Sequence, residues 1–413
     1  MLSYHTCPLA TLGGKDTGGM NVYVREATRE LGARNIHVDV FTRSQDEHVP
    51  HVLHDLGFGN RVVHVPAGPE EPLTKEEMAA RIPQFVEGIL EFARSKAIQY
   101  DLIHSHYWMS GLAAIDLKKE FNAPNVHMFH TLGLMKNRVA QSPEEKEGEY
   151  RISGEQKVLG TADRVIAATQ AEKTQLQFLY QADVRKISII PPGVDTRRFY
   201  PIPKDEAREY IGISPCNQML LFVGRVEPLK GLDVLLQAIA IMRDRSDNKC
   251  IPFCLSVIGG DPEVSPDFMS SEMLRLQNIL DQYDLQDFVT LLGKRSQDTL
   301  PYYYSAAEVV VVPSHYESFG MVALEAMACG IPVVASDVGG LAYLVQDGKT
   351  GFTVPVADPE ALASKLYLII NNGDLHAKMS MQAAEYAQQY SWTNIVDRLL
   401  DVYDEVLTNH KKQ

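Results

Sequence analysis

The feature that most constrains this chain is a grammar that runs through its first half and then begins again. Short apolar runs over 36–42, 61–68, 101–107, 125–133, 163–169 and 186–194 alternate with longer stretches of helical periodicity, such as RIPQFVEGILEFARSK. The pattern restarts with MLLFVGRV, FCLSVIGG, FVTLLGK, EVVVVPS and PVVAS, separated by helical segments such as LDVLLQAIAIMRDR. Continuous apolar strands divided by helices imply a parallel sheet covered on both faces. Two rounds of it predict an α/β chain of two doubly wound, Rossmann-like domains facing each other across a cleft, with ligands beyond the C-terminal strand ends. The segment PPGVDTRRFYPIP over 191–203 holds four prolines and a glycine and suits a stiff hinge.

The expected boundaries are an N-terminal domain over 1–195, a C-terminal domain over 196–390 and a final amphipathic helix over 391–413. That helix either closes the second domain or crosses back to the first. Before it, Asp358 is placed to cap a helix with Pro359 at its first position. MLSYHTCPLA has the look of a strand end with almost no strand before it, so either a very short first strand or a start upstream of Met1 is expected.

At 413 residues the chain exceeds what one core supports. A net charge of −14 argues against nonspecific nucleic-acid or anionic-membrane binding, so an anionic ligand must be met by local cations and backbone N–H groups. The five cysteines (Cys7, Cys216, Cys250, Cys254 and Cys329) include one close pair without a downstream partner pair, which reads as buried thiols in a reducing compartment. There is neither a signal peptide nor an apolar run of membrane-spanning length, and the chain reads as cytoplasmic.

Four stretches carry candidate chemistry. GGKDTGGMNVYVRE over 13–26 is a glycine-rich loop opening a helix, where free N–H groups suit a phosphate; it is neither G-x-G-x-x-G nor a Walker motif, and taken alone it has a purely structural reading too. GRVEPLKG sets Arg225 and Lys230 in a loop at a strand's C-terminal end, where they can clamp a diphosphate or merely be solvated. In HYESFGMVALEAMACG, Glu317 lies in the turn and Glu325 inside the following helix, with N–H groups at Phe319, Gly320 and Met321 aimed at what Glu317 touches. A helix cap would explain Glu317; it would not explain Glu325, which must be buried or find hydroxyl partners. HSHYW and HMFHTLG put His106 and His130 at strand ends, as ligands of the cleft or as hydrogen-bonded core histidines.

Together GGMNVYVRE, HSHYW, FHTLG, PPGVD, GRVEPLKG, VPSHYESFGMVALEAMACGIPVVASDVGG and GKTGFTV resemble the retaining GT-B glycosyltransferases of family four along essentially the whole chain. The resemblance implies a nucleotide-sugar donor held mainly by the C-terminal domain and an acceptor held by the N-terminal one. It implies Arg225 and Lys230 on the donor diphosphate, Glu325 on the ribose, Glu317 facing the transferred sugar, and Gly18 and Gly19 near the diphosphate. His130 would touch the donor sugar, and Lys294 or Arg295 would lie near the base. Within the family the look is nearest to D-inositol-3-phosphate glycosyltransferase and sucrose-phosphate synthase. The former's acceptor-phosphate residues match Lys75, Tyr107, Thr131 and Arg151, with Asn21 near the acceptor ring.

The implied chemistry is hexosyl transfer from a nucleoside diphosphate to a sugar or cyclitol phosphate with retention, using no metal and no cofactor. Donor and acceptor are the small-molecule partners, and a homodimer is among the expectations. A phosphorylase with a pyridoxal phosphate lysine and a non-catalytic sugar-binding protein are the alternatives.

Overall fold

The computed structural model describes residues 1–11, 17–140, 142–213, 218–245, 253–261 and 270–412, without the Glu144 side chain. Much of the glycine-rich loop, together with Cys216 and Cys250, lies outside the described residues. The described residues divide into two compact units: 1–11 and 17–193 together with those from Trp392 onward, and those within Val194–Ser391.

In the first unit the strands are β1 (Asp39–Arg43), β2 (Val52–Leu53), β3 (Arg61–Val65), β4 (Ile103–His106), β5 (Asn125–Met128), β6 (Arg164–Ala167) and β7 (Ile187–Ile189). They run in the order β2-β3-β1 and β4-β5-β6-β7. Leu2 joins the two blocks by parallel bridges to Phe41 and Ser105. Counting Leu2 as a first, minimal strand, the order out from the centre is that of a doubly wound sheet. One strand departs from the parallel pattern: β2 pairs with β3 antiparallel, Val52 opposite Val63. Two residues are too few to register as an apolar run.

The second unit contains β8 (Gln218–Val223), β9 (Phe253–Ile258), β10 (Val289–Gly293), β11 (Val309–Val312), β12 (Val333–Ser336) and β13 (Gly351–Val354). The order is β10-β9-β8-β11-β12-β13, every pair parallel. In chain order that is 3-2-1-4-5-6, so the direction of winding reverses between β8 and β11. Val309, Val310 and Val311 in β11 are fully buried, as an apolar run covered on both faces requires. Asp358 accepts a hydrogen bond from the Ala361 N–H with Pro359 at the first helical position, so the anticipated cap forms. Among the described residues no helix is long and apolar enough to cross a membrane.

Candidate functional site

The reversal point of the second sheet is where its topology leaves a crevice, because the loops leaving β8 and β11 depart to opposite sides. The loop after β8 carries Arg225 and closes with the short 3-10 turn Pro228–Lys230. Gly231 then takes a left-handed conformation (φ 65°), and a Cβ there would lie 2.1 Å from the Pro313 carbonyl oxygen. Only glycine lets the two loops approach this closely. The result brings Lys230 to Glu317: Nζ and Oε2 are 2.5 Å apart across 87 positions of sequence. Arg225 pairs with Glu227 at 2.6 Å.

Glu317 therefore does not cap the next helix. That helix, Met321–Ala328, has Gly320 at its N-cap (φ 107°) and no side-chain cap. Its first-turn N–H groups thus have no side chain of their own to answer them, the arrangement that suits an anion. Glu325 is buried inside the helix and accepts a hydrogen bond from Tyr304 Oη at 2.8 Å. Nearby on the same loop, Ser314 Oγ and His315 Nε2 are buried without a hydrogen-bond partner, which a folded chain rarely leaves without use. Lys294 pairs with Asp261, and Arg295 donates to Tyr303 Oη; both cations are exposed, and neither is drawn into the Lys230–Glu317 group.

The first unit gathers a second set at its own strand ends. Tyr107 follows β4 and His130 lies two residues beyond β5, each a non-glycine residue at positive φ (72° and 62°). Such backbone costs on the order of 1–3 kcal/mol and persists where the surroundings fix it. His106 Nδ1 and His130 Nε2 are 3.0 Å apart, so one ring donates to the other. Burial pulls His127 and His130 down to about 3 and His104 and His106 well below the usual histidine range, so all four rings are neutral at pH 7.

Arg151 is the centre of the same region. It is 1% exposed, and its Nε lies 2.9 Å from Glu155 and its Nη1 2.7 Å from Glu147. Its Nη2 donates to Thr131 O and Oγ1 at 3.1 and 3.0 Å, and the guanidinium lies 5.0 Å from the Tyr107 ring centroid. Lys75, the first residue of the helix Lys75–Ala80, reaches the Glu147 carboxylate at 3.7 Å. Lys75, Tyr107, Thr131 and Arg151 are therefore in one contact group.

Asn21 is differently engaged. Its side chain is fully buried, accepts from the Gly18 N–H, and donates to Thr6 Oγ1 and Cys7 O. It ties Gly18, and through the turn Gly19, to the Thr6–Cys7 segment. Sequence reasoning passed over Lys136, which contacts Glu147 at 2.5 Å, and Glu147 itself. The i,i+4 spacing of Glu147 to Arg151 was the available signal; nothing local marked Lys136.

The family described as Glycosyltransferase Family 4 matches residues 17–198, and Glycosyl transferases group 1 matches 203–389. D-inositol 3-phosphate glycosyltransferase of Saccharomonospora viridis is 39% identical over 412 residues, covering 98% of this chain and 94% of that protein. D-inositol 3-phosphate glycosyltransferase 2 of Catenulispora acidiphila is 40% identical over 407 residues, covering 98% and 93%. Sucrose-phosphate synthase from Thermosynechococcus elongatus superposes with a TM-score of 0.89 at 33% identity, covering 99% and 98%. With two parallel α/β units and relatives of this identity along its whole length, the chain belongs to the family 4 glycosyltransferases of GT-B fold, and is a transferase.

Proposed function

We propose that this enzyme moves a hexosyl unit, glucose or N-acetylglucosamine, from a UDP-linked donor to a phosphorylated cyclitol such as an inositol phosphate, with retained configuration and without a metal. The observation that carries the reading is the Lys230–Glu317 contact beyond β8 and β11, beside an uncapped helix start. On donor binding the ammonium passes from the carboxylate to the diphosphate, and Glu317 turns to sugar hydroxyls. Arg225 and the N–H groups at Phe319, Gly320 and Met321 share the charge that grows on the leaving group. Such preorganised donors are usually the largest single contribution to the rate. The departing phosphate oxygen takes the acceptor's proton as the new glycosidic bond forms on the same face. Glu317 positions the sugar and forms no bond to it, and His130, kept neutral, offers a hydrogen bond near the reacting carbon.

The phosphorylated acceptor is supported by the grouping of Lys75, Tyr107, Thr131 and Arg151, a set of cations and hydroxyls that suits a dianion in an acidic protein. The names of the inositol-phosphate relatives point the same way. The likeness to sucrose-phosphate synthase favours fructose 6-phosphate as the second acceptor to try. A thermal-shift panel of UDP-, GDP- and ADP-sugars, then transfer assays with inositol phosphates and fructose 6-phosphate with and without chelator, tests all of this. The anomeric configuration of the product is read by NMR. A product of inverted configuration, or transfer only to unphosphorylated acceptors, would overturn the corresponding part.

A further inference from the structure

Three cations of the first unit converge on one oxygen. Lys136 Nζ, Arg151 Nη1 and Lys75 Nζ lie 2.5, 2.7 and 3.7 Å from Glu147 Oε1. Burial alone would raise the Glu147 carboxyl, but Arg151, Lys136 and Lys75 outweigh it and hold it below the usual carboxylate value, so it is ionised. Lys136 sits in the helix Gly133–Val139, one turn beyond Thr131 and outside every residue set assigned above.

We propose that Glu147 is a built-in competitor for the acceptor's phosphate, and that Lys136 is a further cation of the phosphate site. The inference rests on the phosphorylated-acceptor reading and deepens it. Two glutamates touch Arg151, and they differ in kind. Glu155 is fully buried, accepts the Gly133 N–H with both oxygens, and also takes Tyr180 Oη and Arg151 Nε. It fixes the guanidinium whatever happens at Nη1. Glu147 is held differently: its backbone is clamped by the Asn137 side chain, N–H to Oδ1 at 2.6 Å and carbonyl from Nδ2 at 3.1 Å. The carboxylate can therefore rotate off the cations without undocking the loop that carries it.

Charge balance supports the exchange. Lys75, Lys136 and Arg151 bring three positive charges, and Glu155 removes one. The remaining two are half-compensated by Glu147 and fully compensated by a phosphate dianion. A ligand that displaces Glu147 must offer more than a single carboxylate does, so the arrangement selects dianions over monoanions.

The test is calorimetric titration of the full-length protein with inorganic phosphate at pH 8, in the wild type and in Glu147→Gln, Lys136→Met and the double variant. Glu147→Gln is expected to bind phosphate at least tenfold more tightly, Lys136→Met more weakly, and the double variant between them. If Glu147→Gln does not fold, Glu147→Asp, which withdraws the carboxylate by one methylene, is expected to tighten binding to a smaller degree. Unchanged or weaker binding in the folded Glu147 variant overturns the competition while leaving the phosphate site intact. Binding that is indifferent to Lys136→Met removes that lysine from the site. Absence of phosphate binding in every variant overturns the inference and the phosphorylated-acceptor reading together.

Discussion

The two units solve one problem in two ways. Each places cations beyond the strand ends of a doubly wound sheet, and each seats a carboxylate on them. In the second unit, Lys230 and Glu317 are 23% and 17% exposed and meet from two loops. In the first, Arg151 and Glu155 are 1% and 0% exposed and belong to one helix packed in the core. A charge pair with partial access to water can be opened at modest cost, whereas a buried arginine is part of what keeps its surroundings folded. Lys230 is thus separable from stability, and Arg151 is not.

The largest test of that contrast is Arg151→Ala. It strands Glu155 without its guanidinium and is expected to destabilise the first unit by about 3–5 kcal/mol. Both tryptophans, Trp108 and Trp392, lie in that unit, so intrinsic fluorescence during urea unfolding reports it selectively. A loss below about 1 kcal/mol would erase the distinction between the sites.

Lys230→Ala is expected to do the opposite: turnover falls by about 10²–10³-fold, while the melting free energy moves by less than about 1 kcal/mol. Initial rates at saturating donor, set beside a denaturant curve, separate the two. Near-normal transfer would discard the diphosphate clamp.

Acid should strike the units unequally. His104, His106 and His127 are buried and held neutral, with His127 near 3 against an ordinary value of 6.5. Below pH 6.5 the unfolded chain binds protons that these rings refuse, so stability falls with pH by up to about 1.4 kcal/mol per unit for each ring. The tryptophan-detected midpoint is expected to drop between pH 7.5 and 5.5. A midpoint that holds or rises over that window would contradict the neutral cluster.

The smallest expected effect is that of Lys75→Ala. The ammonium is 30% exposed and 3.7 Å from its carboxylate, so its removal should raise KM for a phosphorylated acceptor by about tenfold and leave the fold alone. An equal rise with an unphosphorylated acceptor would remove Lys75 from the phosphate site.

The fold was legible because buried parallel strands are written as apolar runs: each run named from sequence overlaps a strand. The antiparallel β2 and the edge strand β13 were not, since a two-residue strand and GFTV following a glycine turn carry little periodicity. Within the site, sequence placed Lys230 and Glu317 at strand ends but could not pair them; a separation of 87 positions is brought to nothing by the order in which strands insert. The loop-tying bonds of Asn21 were not legible, because a buried amide that ties down a loop and one that meets a ligand look alike in sequence.

The crossing between the units has a consequence for how the molecule can be cut. Gly193 lies against Trp392, so close that a Cβ on it would stand 3.0 Å from the tryptophan Cα, while Val194 bridges Ser391. The second unit is therefore an insert whose two ends are neighbours. A spliced polypeptide running from Gly193 directly into Trp392 has a native path to follow, and residues 194–391 have termini close enough for circular permutation.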